Sequence, residues 1–482
     1  MLFAPIFFAF LITHGLAIFG IIGVHLTDLG HVVSTTGTQL HDAHSKIGLL
    51  GIAALLLRAF SVGAGTYTGI EAVSNGLPIL RDPKVVTGKK TMNYMGISLA
   101  LTVFGLLIAY LLEDVHPVEG MTLNAVLFGK ITANWPGHTG PIFTSVSMVS
   151  AACLLFIAAQ AGFLDGPRVA ANMAIDRWFP NRFATLSDRF VTANGILLMG
   201  AAALVAMLLT RGKVDLLVVL YSINVFVTFS LSQLGMVMHW WRSRKTEPKW
   251  RGKLIVNGIG LGVTTFILIT LCCVKFFEGG WITVFVTAAV VLAAISIRKH
   301  YEATRAQLSR LDGLVKATEN DPTVAPPTPM PKGRTAIVLV NGFNGLGLHT
   351  YYGIFRMFPK TFTDFIFVQV GAVDAGCFKG AEELAALREK TETDGQKYVA
   401  MCQKHGYTAH AVSRIGIDIV QTAEGVAKEL LKEHRNAVIF GGQLAFEKET
   451  IWTRWLHNYV VFALQRLFCR QGVPFVIVPA KV

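Results

Sequence analysis

Residues 2–24 carry no ionised side chain, only His14, and comparable apolar runs recur at 58–80, 94–112, 141–164, 190–210, 216–241, 254–274 and 281–297. A helix needs about 17–25 apolar residues to cross a hydrocarbon core, so each run is long enough. Hydrocarbon offers no partner to a backbone N–H or C=O, so a spanning segment must bond to itself as a helix. The sequence therefore predicts a mainly α membrane bundle of eight transmembrane helices within residues 1–300. The first run lacks a basic flank and is too long for a signal-peptide core, so it is read as a span.

Composition agrees. Apolar residues are 52% and charged residues 15%, against about a quarter charged in soluble domains, which excludes a wholly soluble enzyme, a collagen and a disordered chain. The net charge is +13, of which +9 lies in residues 1–300 and +4 in 301–482. A basic excess in the charge-poor half points to anionic lipid headgroups. No basic stretch is interleaved with aromatics as in a nucleic-acid groove, so membrane lipids, and not nucleic acid, are the expected partner. Six cysteines, Cys153, Cys272, Cys273, Cys377, Cys402 and Cys469, form no C-x-x-C pair and read as free thiols of a reducing compartment.

Basic residues alternate between the loops. Arg81, Lys84, Lys89 and Lys90 follow the second run, Arg168, Arg177, Arg182 and Arg189 the fourth, and Arg242, Arg244, Lys245, Lys249, Arg251 and Lys253 the sixth. The intervening loops are poor in Lys and Arg. The bias predicts both termini on the cytoplasmic side, as in a plasma-membrane (bacterial inner-membrane) protein.

The second run is unusual. Ile47–Leu57 reads as a helix near the outer interface, with the crossing element starting near Arg58. Gly63, Gly65 and Gly69 weaken a continuous helix there, and Glu71 is ionisable at membrane depth, which is costly unless it faces a cavity or a partner. A glycine-interrupted span containing an acid marks the broken helix and midplane site of a transporter. The alternative is a packed glycine face with Glu71 paired to a neighbour.

The stretch Thr66-Tyr67-Thr68-Gly69-Ile70-Glu71-Ala72-Val73-Ser74-Asn75-Gly76 resembles the sixth transmembrane helix of the amino acid–polyamine–organocation (APC) superfamily of permeases. Other pieces follow in that family's order: Asp165-Gly166-Pro167-Arg168 with Met173–Pro180, Leu220–Phe226 with Leu231–Val237, and Lys275–Trp281. The resemblance implies part of a LeuT-type inverted-repeat fold, the eight spans being helices five to twelve. Helices one to four have no counterpart in this sequence, which implies either a separately encoded N-terminal half as partner or a truncated permease acting as a membrane sensor or scaffold. It further implies secondary active transport of an amino acid or similar small molecule. Thr66, Tyr67, Thr68, Gly69, Ile70 and Glu71 would be the unwound substrate-binding stretch, and Tyr221 and Asn224 cavity residues of helix ten. His14 and Glu71 are candidates for proton coupling; a neutral, hydrogen-bonded His14 is the alternative.

An outer loop holds His25, Asp28, His31, His41, Asp42 and His44, but the spacings match no metal-ligand motif, and a solvated loop is expected there. Lys275 is expected to snorkel to the interface. No cofactor, metal or catalytic constellation is expected, so the chain reads as no enzyme.

Residues 301–332 read as a charged helix and a Pro-rich linker: Tyr301–Lys316 as a charged helix leaving the membrane, then 322–331, with Pro322, Pro326, Pro327, Pro329 and Pro331, as a stiff, extended spacer. In 333–482, apolar β-branched runs at Thr335–Val340, Phe365–Val370, Thr408–Val412, Ala437–Phe440 and Val473–Val478 alternate with helical segments. This predicts a cytoplasmic, doubly wound α/β domain with a parallel sheet. It is similar in size and order to a universal-stress-protein-like domain, which implies a regulatory role. Gly441-Gly442-Gln443 stands where nucleotide-binding members of that fold carry a phosphate loop, and Asn341–Gly347 is a second glycine-rich turn, but neither is a P-loop or G-x-G-x-x-G. Phe446, Trp452 and Trp455 either pack the core or dock the domain on a partner, a second copy of the chain included.

Overall fold

A computed structural model describes residues 4–63, 73, 76–77, 80–187, 189–319, 333–375, 381–447, 453, 456–457 and 459–481. The predicted unwound stretch Thr66–Glu71, most of the Pro-rich linker, Cys377, Trp452 and Trp455 lie outside the described residues. Two compact units are formed: residues 1–165 with 200–288, and residues 166–199 with 289–482.

The first unit is helical: α1 (Ala4–Val24), α2 (Leu29–Gly63), α3 (Lys84–Leu112), α4 (Leu123–Thr132), most of α5 (Thr139–Ile175) and of α6 (Ala193–Thr210), α7 (Val214–Arg242) and α8 (Trp250–Lys275). Seven helices among the described residues are long and apolar enough to cross a membrane. One of these, Trp250–Thr318, is 69 residues long, or about 100 Å at 1.5 Å per residue, more than three times a hydrocarbon core. It is broken at Phe276–Gly280, where Gly279 takes a φ of 107°. The two predicted runs 254–274 and 281–297 thus fall on either side of this turn, in α8 and in α9 (Trp281–Leu311).

Close packing sets the helix order. A Cβ on Gly105 of α3 would lie 2.5 Å from Ile18 Cγ2 of α1, so only glycine permits that approach; Ile21, Ala109 and Leu127 fill the space beside it. Along α7 and α8, Ile223 meets Leu271 while Gln233 meets Gly260, so the two helices run antiparallel. After the turn, Thr283 Oγ1 of α9 donates to the Leu220 carbonyl at 3.5 Å and Thr287 Oγ1 to Asn224 Oδ1 at 2.9 Å. The start of α9 therefore runs parallel to α7.

Residues 25–44, expected as a solvated loop, are helical from Leu29 onward. His31, His41, Asp42 and His44 lie on α2, which runs from Leu29 to Gly63 and breaks direction only at Gly48, with φ 67° and ψ 175°. No proline interrupts residues 26–57, so nothing removes a helical donor there. Ser34, Thr38 and Ser45 return their hydroxyls to carbonyls three or four residues back. Among the described residues no group of three or more His, Cys, Asp or Glu could hold a metal ion.

The second unit carries a five-stranded parallel sheet of order β3-β2-β1-β4-β5. Its strands are β1 (Arg334–Val340), β2 (Phe362–Ala372), β3 (Thr408–Gly416), β4 (Val438–Ala445) and β5 (Phe475–Lys481). Alternate residues of β1 face opposite sides. Ala336, Val338 and Val340 pack under α11 (Gly345–Met357) and α12 (Ala381–Lys404), with Tyr351, Tyr398 and Cys402 fully buried. Ile337 packs with Ile366 and Ile439 under α13 (Ile419–Glu433) and α14 (Tyr459–Arg470). Helices on both faces explain why the strands read as unbroken apolar runs. α10 (Gly313–Glu319) precedes the linker.

Gly441 and Gly442 are interior to β4 and form no loop. A Cβ on Gly442 would stand 2.5 Å from Thr350 Oγ1, so glycine here lets the strand lie against α11. The other glycine-rich turn caps α11: Asn344 accepts from the Gly347 N–H at 3.0 Å, and Tyr398 donates its hydroxyl to the Gly342 carbonyl at 3.0 Å. Burial pushes the Cys402 thiol up to about 12, which keeps it protonated and unreactive.

α9 does not stop where the last apolar run ends. It continues unbroken to Leu311, so the expected charged helix at 301–316 begins as an extension of the last span. Its end is gripped inside the second unit. Tyr301 is buried, with Leu456 packed against it. His300 Nε2 lies 3.0 Å from His457 Nε2, and the Phe446 ring is 5.2 Å from that of His457. One imidazole must donate and the other accept, so the pair cannot be doubly protonated. Burial first, then the neighbouring His300, holds the His457 imidazole down to about 4. The folded contact thus binds fewer protons than the open chain, where histidine titrates near 6.5. Its stability is full above pH 6.5 and falls as pH drops from 6.5 toward 4. Hydrogen exchange of α14 in the full chain is expected to speed up across that window, and H457F to abolish the pH dependence.

Candidate functional site

The apolar bundle contains few polar groups, and three places collect them. The first is α1. Thr13 and His14 are buried. His14 Nδ1 lies 2.9 Å from the Phe10 carbonyl, which is only an acceptor, so the ring nitrogen there carries the proton. The opposite nitrogen, Nε2, is buried with no hydrogen-bond partner among the described residues. The ring stacks at 3.9 Å on Phe10 and meets Phe128 edge-on at 5.0 Å. A buried imidazole with a bare basic nitrogen can take up a proton, at the cost of charging an apolar wall.

The second is the seam between α7 and α9. Asn224 accepts from Thr287 and donates Nδ2 to the Leu220 carbonyl at 3.3 Å. Tyr221 sits one turn away and is half exposed. Ile223 and Phe226 face the packed side instead, because positions three apart share a face while their neighbours do not. The structure therefore brings Tyr221 and Asn224 to one polar strip. Thr283 and Thr287 extend that strip and were not singled out in the sequence; their signal is a spacing of four within an otherwise apolar helix.

The third is the turn at Phe276–Gly280. Lys275 does not snorkel: it is 9% exposed. Its ammonium is held by Glu278 Oε2, whose other oxygen faces Arg58 of α2 at 3.7 Å. Gly279 and Gly280 let the turn close over Lys275, since a Cβ on Gly280 would lie 2.8 Å from the Lys275 carbonyl. The short i,i+3 reach within the turn, rather than a path to water, is what satisfies the lysine. Removing Glu278 strands a buried ammonium, whereas removing Lys275 leaves a half-exposed carboxylate that keeps Arg58; breaking a buried pair from the exposed side costs more than deleting the buried charge. E278A is accordingly expected to lower the Tm of the detergent-purified protein further than K275M, read by intrinsic fluorescence.

The unwound stretch proposed from sequence, Thr66–Glu71, cannot be joined geometrically to these groups because it lies outside the described residues. The described geometry is that of a multi-pass membrane protein whose polar groups line helix seams and turns. The potassium transporter KimA of Bacillus subtilis (strain 168) is similar to the chain, at 29% identity over 427 residues, or 88% of this chain and 64% of that protein. The chain thus spans less than two thirds of that relative's length. The sequence pattern of amino acid permeases matches residues 1–296. Both likenesses are to membrane transport proteins. With well over half of its 482 residues matched by that pattern, the chain belongs to the amino acid permease family.

Proposed function

We propose that the chain is a secondary transporter whose substrate is the potassium ion, with the α/β domain acting on transport from the cytoplasmic side of a bacterial inner membrane. The observation that carries the substrate is the likeness to KimA. It covers 88% of the chain, and so extends past residue 296, where the permease pattern ends, into the α/β domain. The chemistry of Thr66–Glu71 fits a cation. The stretch offers hydroxyls from Thr66, Tyr67 and Thr68, one carboxylate from Glu71, and no lysine or arginine. Carbonyl groups released by an unwound helix at Gly69 and Ile70 would add oxygen ligands. Tyr221 and Asn224 would line the same cavity, and His14 and Glu71 would carry a coupling proton.

The second reading is amino acid transport, favoured by the family to which residues 1–296 belong. A zwitterionic substrate would need a site for its carboxylate, for which the stretch supplies only backbone N–H groups. A transport-incompetent sensor or scaffold is the remaining alternative.

The regulatory role rests on contacts inside the second unit. The loop between α5 and α6 meets the end of β2: Ala375 N–H donates to the Ala184 carbonyl at 3.0 Å beside a Thr185–Asp374 bridge. The same loop reaches α9, with Asn181 N–H donating to the Tyr301 hydroxyl at 3.4 Å and Arg298 lying 4.3 Å over Trp178. A ligand-driven shift of the domain would therefore pull on the ends of three helices. Its doubly wound order supports a universal-stress-protein-like domain.

Expression in a bacterial strain stripped of its own potassium uptake tests this reading. Growth on micromolar potassium and uptake of its rubidium tracer are expected from the chain. G69L and E71A are expected to lower uptake at least tenfold at equal protein level. H14Q is expected to keep rubidium exchange while losing accumulation driven by a pH gradient. Uptake of labelled amino acids without rubidium uptake would overturn the potassium reading in favour of the second.

A further inference from the structure

Two apolar grooves open on the first unit, each of about 410 Å³. One lies between α1 and α5, where Pro5, Ala9, Val146 and Val149 line it and no charged side chain does. The other lies between the end of α7 and the start of α8, lined by Val237, Met238, Trp241, Arg242, Leu254 and Gly258. Its floor is open because Gly258 has no side chain and nothing stands within 4 Å of where a Cβ would be.

The charges around the second groove are unbalanced. Residues 242–253 hold Arg242, Arg244, Lys245, Lys249, Arg251 and Lys253, with Glu247 the one acid. Glu247 is already taken: Lys253 Nζ bonds it at 2.8 Å and lies 4.2 Å over the Trp240 ring. That hydrogen bond holds the Glu247 carboxyl below the usual range. The other five cations have no anionic partner among the described residues. Arg244 and Arg251 sit over the rings of Trp241 and Trp250, with Cζ 5.2 and 5.5 Å from the centroids. Tryptophan beside arginine at a helix end is the pattern of a membrane interface.

We propose that this groove is a binding site for an anionic phospholipid. An acyl chain lies along Val237, Met238, Leu254 and Gly258, and the headgroup phosphate is held by Arg242 and Arg244, whose planar forks suit a phosphate. Lys245 and Lys249 add attraction for a net-negative headgroup. The apolar groove selects a lipid over a soluble phosphate, and the unpaired cations select an anionic lipid over a zwitterionic one. The first groove, with the same volume and no cation in its lining, has no such preference.

Native mass spectrometry of the full chain in detergent, with dioleoyl phosphatidylglycerol or dioleoyl phosphatidylcholine added at equal concentration, tests the site. One phosphatidylglycerol is expected to remain bound under activation that strips phosphatidylcholine, and to raise the Tm by several degrees. R242Q/R244Q and G258L, which fills the groove floor, are each expected to cut retention at least tenfold. S145L, in the other groove, is expected to leave it unchanged. Equal retention of the two lipids by the unmodified chain overturns the proposal and needs no variant. So does full retention by G258L, which reduces the cations to plain surface charge, or displacement of the lipid by millimolar inorganic phosphate, which assigns them to a free anion.

Discussion

Hydrocarbon has no hydrogen bond to offer a backbone amide, and the first unit is arranged around that refusal. Its long apolar segments are helices, and among the described residues helices break at glycines. Gly48 kinks α2 at a φ of 67°. Phe276–Gly280 turns at Gly279, with the Lys275 ammonium held by Glu278 beneath it. Threonine and serine hydroxyls inside the spans return to carbonyls of their own helix, as Ser147 does to Phe143 and Ser222 to Val218. Other polar groups in the first unit do not bond within their own helix: Asn224 meets Thr287 across a seam, and His14 Nε2 is one of several buried atoms without a hydrogen-bond partner among the described residues.

The same exclusion drives charge to the ends of the helices, where it acquires other work. Basic residues of the loop after α7 stack on tryptophans and outnumber the available acids, which makes that end attractive to lipid anions. At the far end of α9 the helix leaves the apolar run without a break, and its exit is held by aromatic rings and a histidine pair. Within the second unit, the α/β domain thus holds the end of α9 as well as the loop between α5 and α6.

The α/β domain rests on a different principle. Its parallel strands are buried on both faces, so its stability comes from two apolar layers separated by one sheet. Glycines at 441 and 442 permit β4 to lie close to Phe475 and Thr350, which makes them packing residues rather than phosphate ligands. The position after β1, where the chain turns into α11, is occupied by the domain's own contacts: Asn344 caps the helix, and Asp312 Oδ1 accepts from the Gly345 N–H at 3.2 Å.

The amino-acid order alone marked the apolar runs other than the one at 58–80, the parallel sheet and the break between α8 and α9, because run length, charge exclusion and β-branched periodicity are local properties; the candidate span found in that second region is Leu29–Phe60 instead. Tyr221 and Asn224 were marked in the sequence through the family resemblance of their helix. Thr283 and Thr287, which bond the Leu220 carbonyl and Asn224, carried a spacing of four but no sign of which helix they meet, since a contact across more than sixty residues is set by packing. The fate of Lys275 was misread for the same reason: whether a lysine snorkels or is paired depends on how the next turn folds back. The helical character of residues 29–47, the continuation of α9 to Leu311 and the capture of the loop at Ala184 by Ala375 were decided only by the tertiary structure. Each depends on which surfaces meet, and that is settled by the packing of distant segments against one another rather than by any segment's own preference.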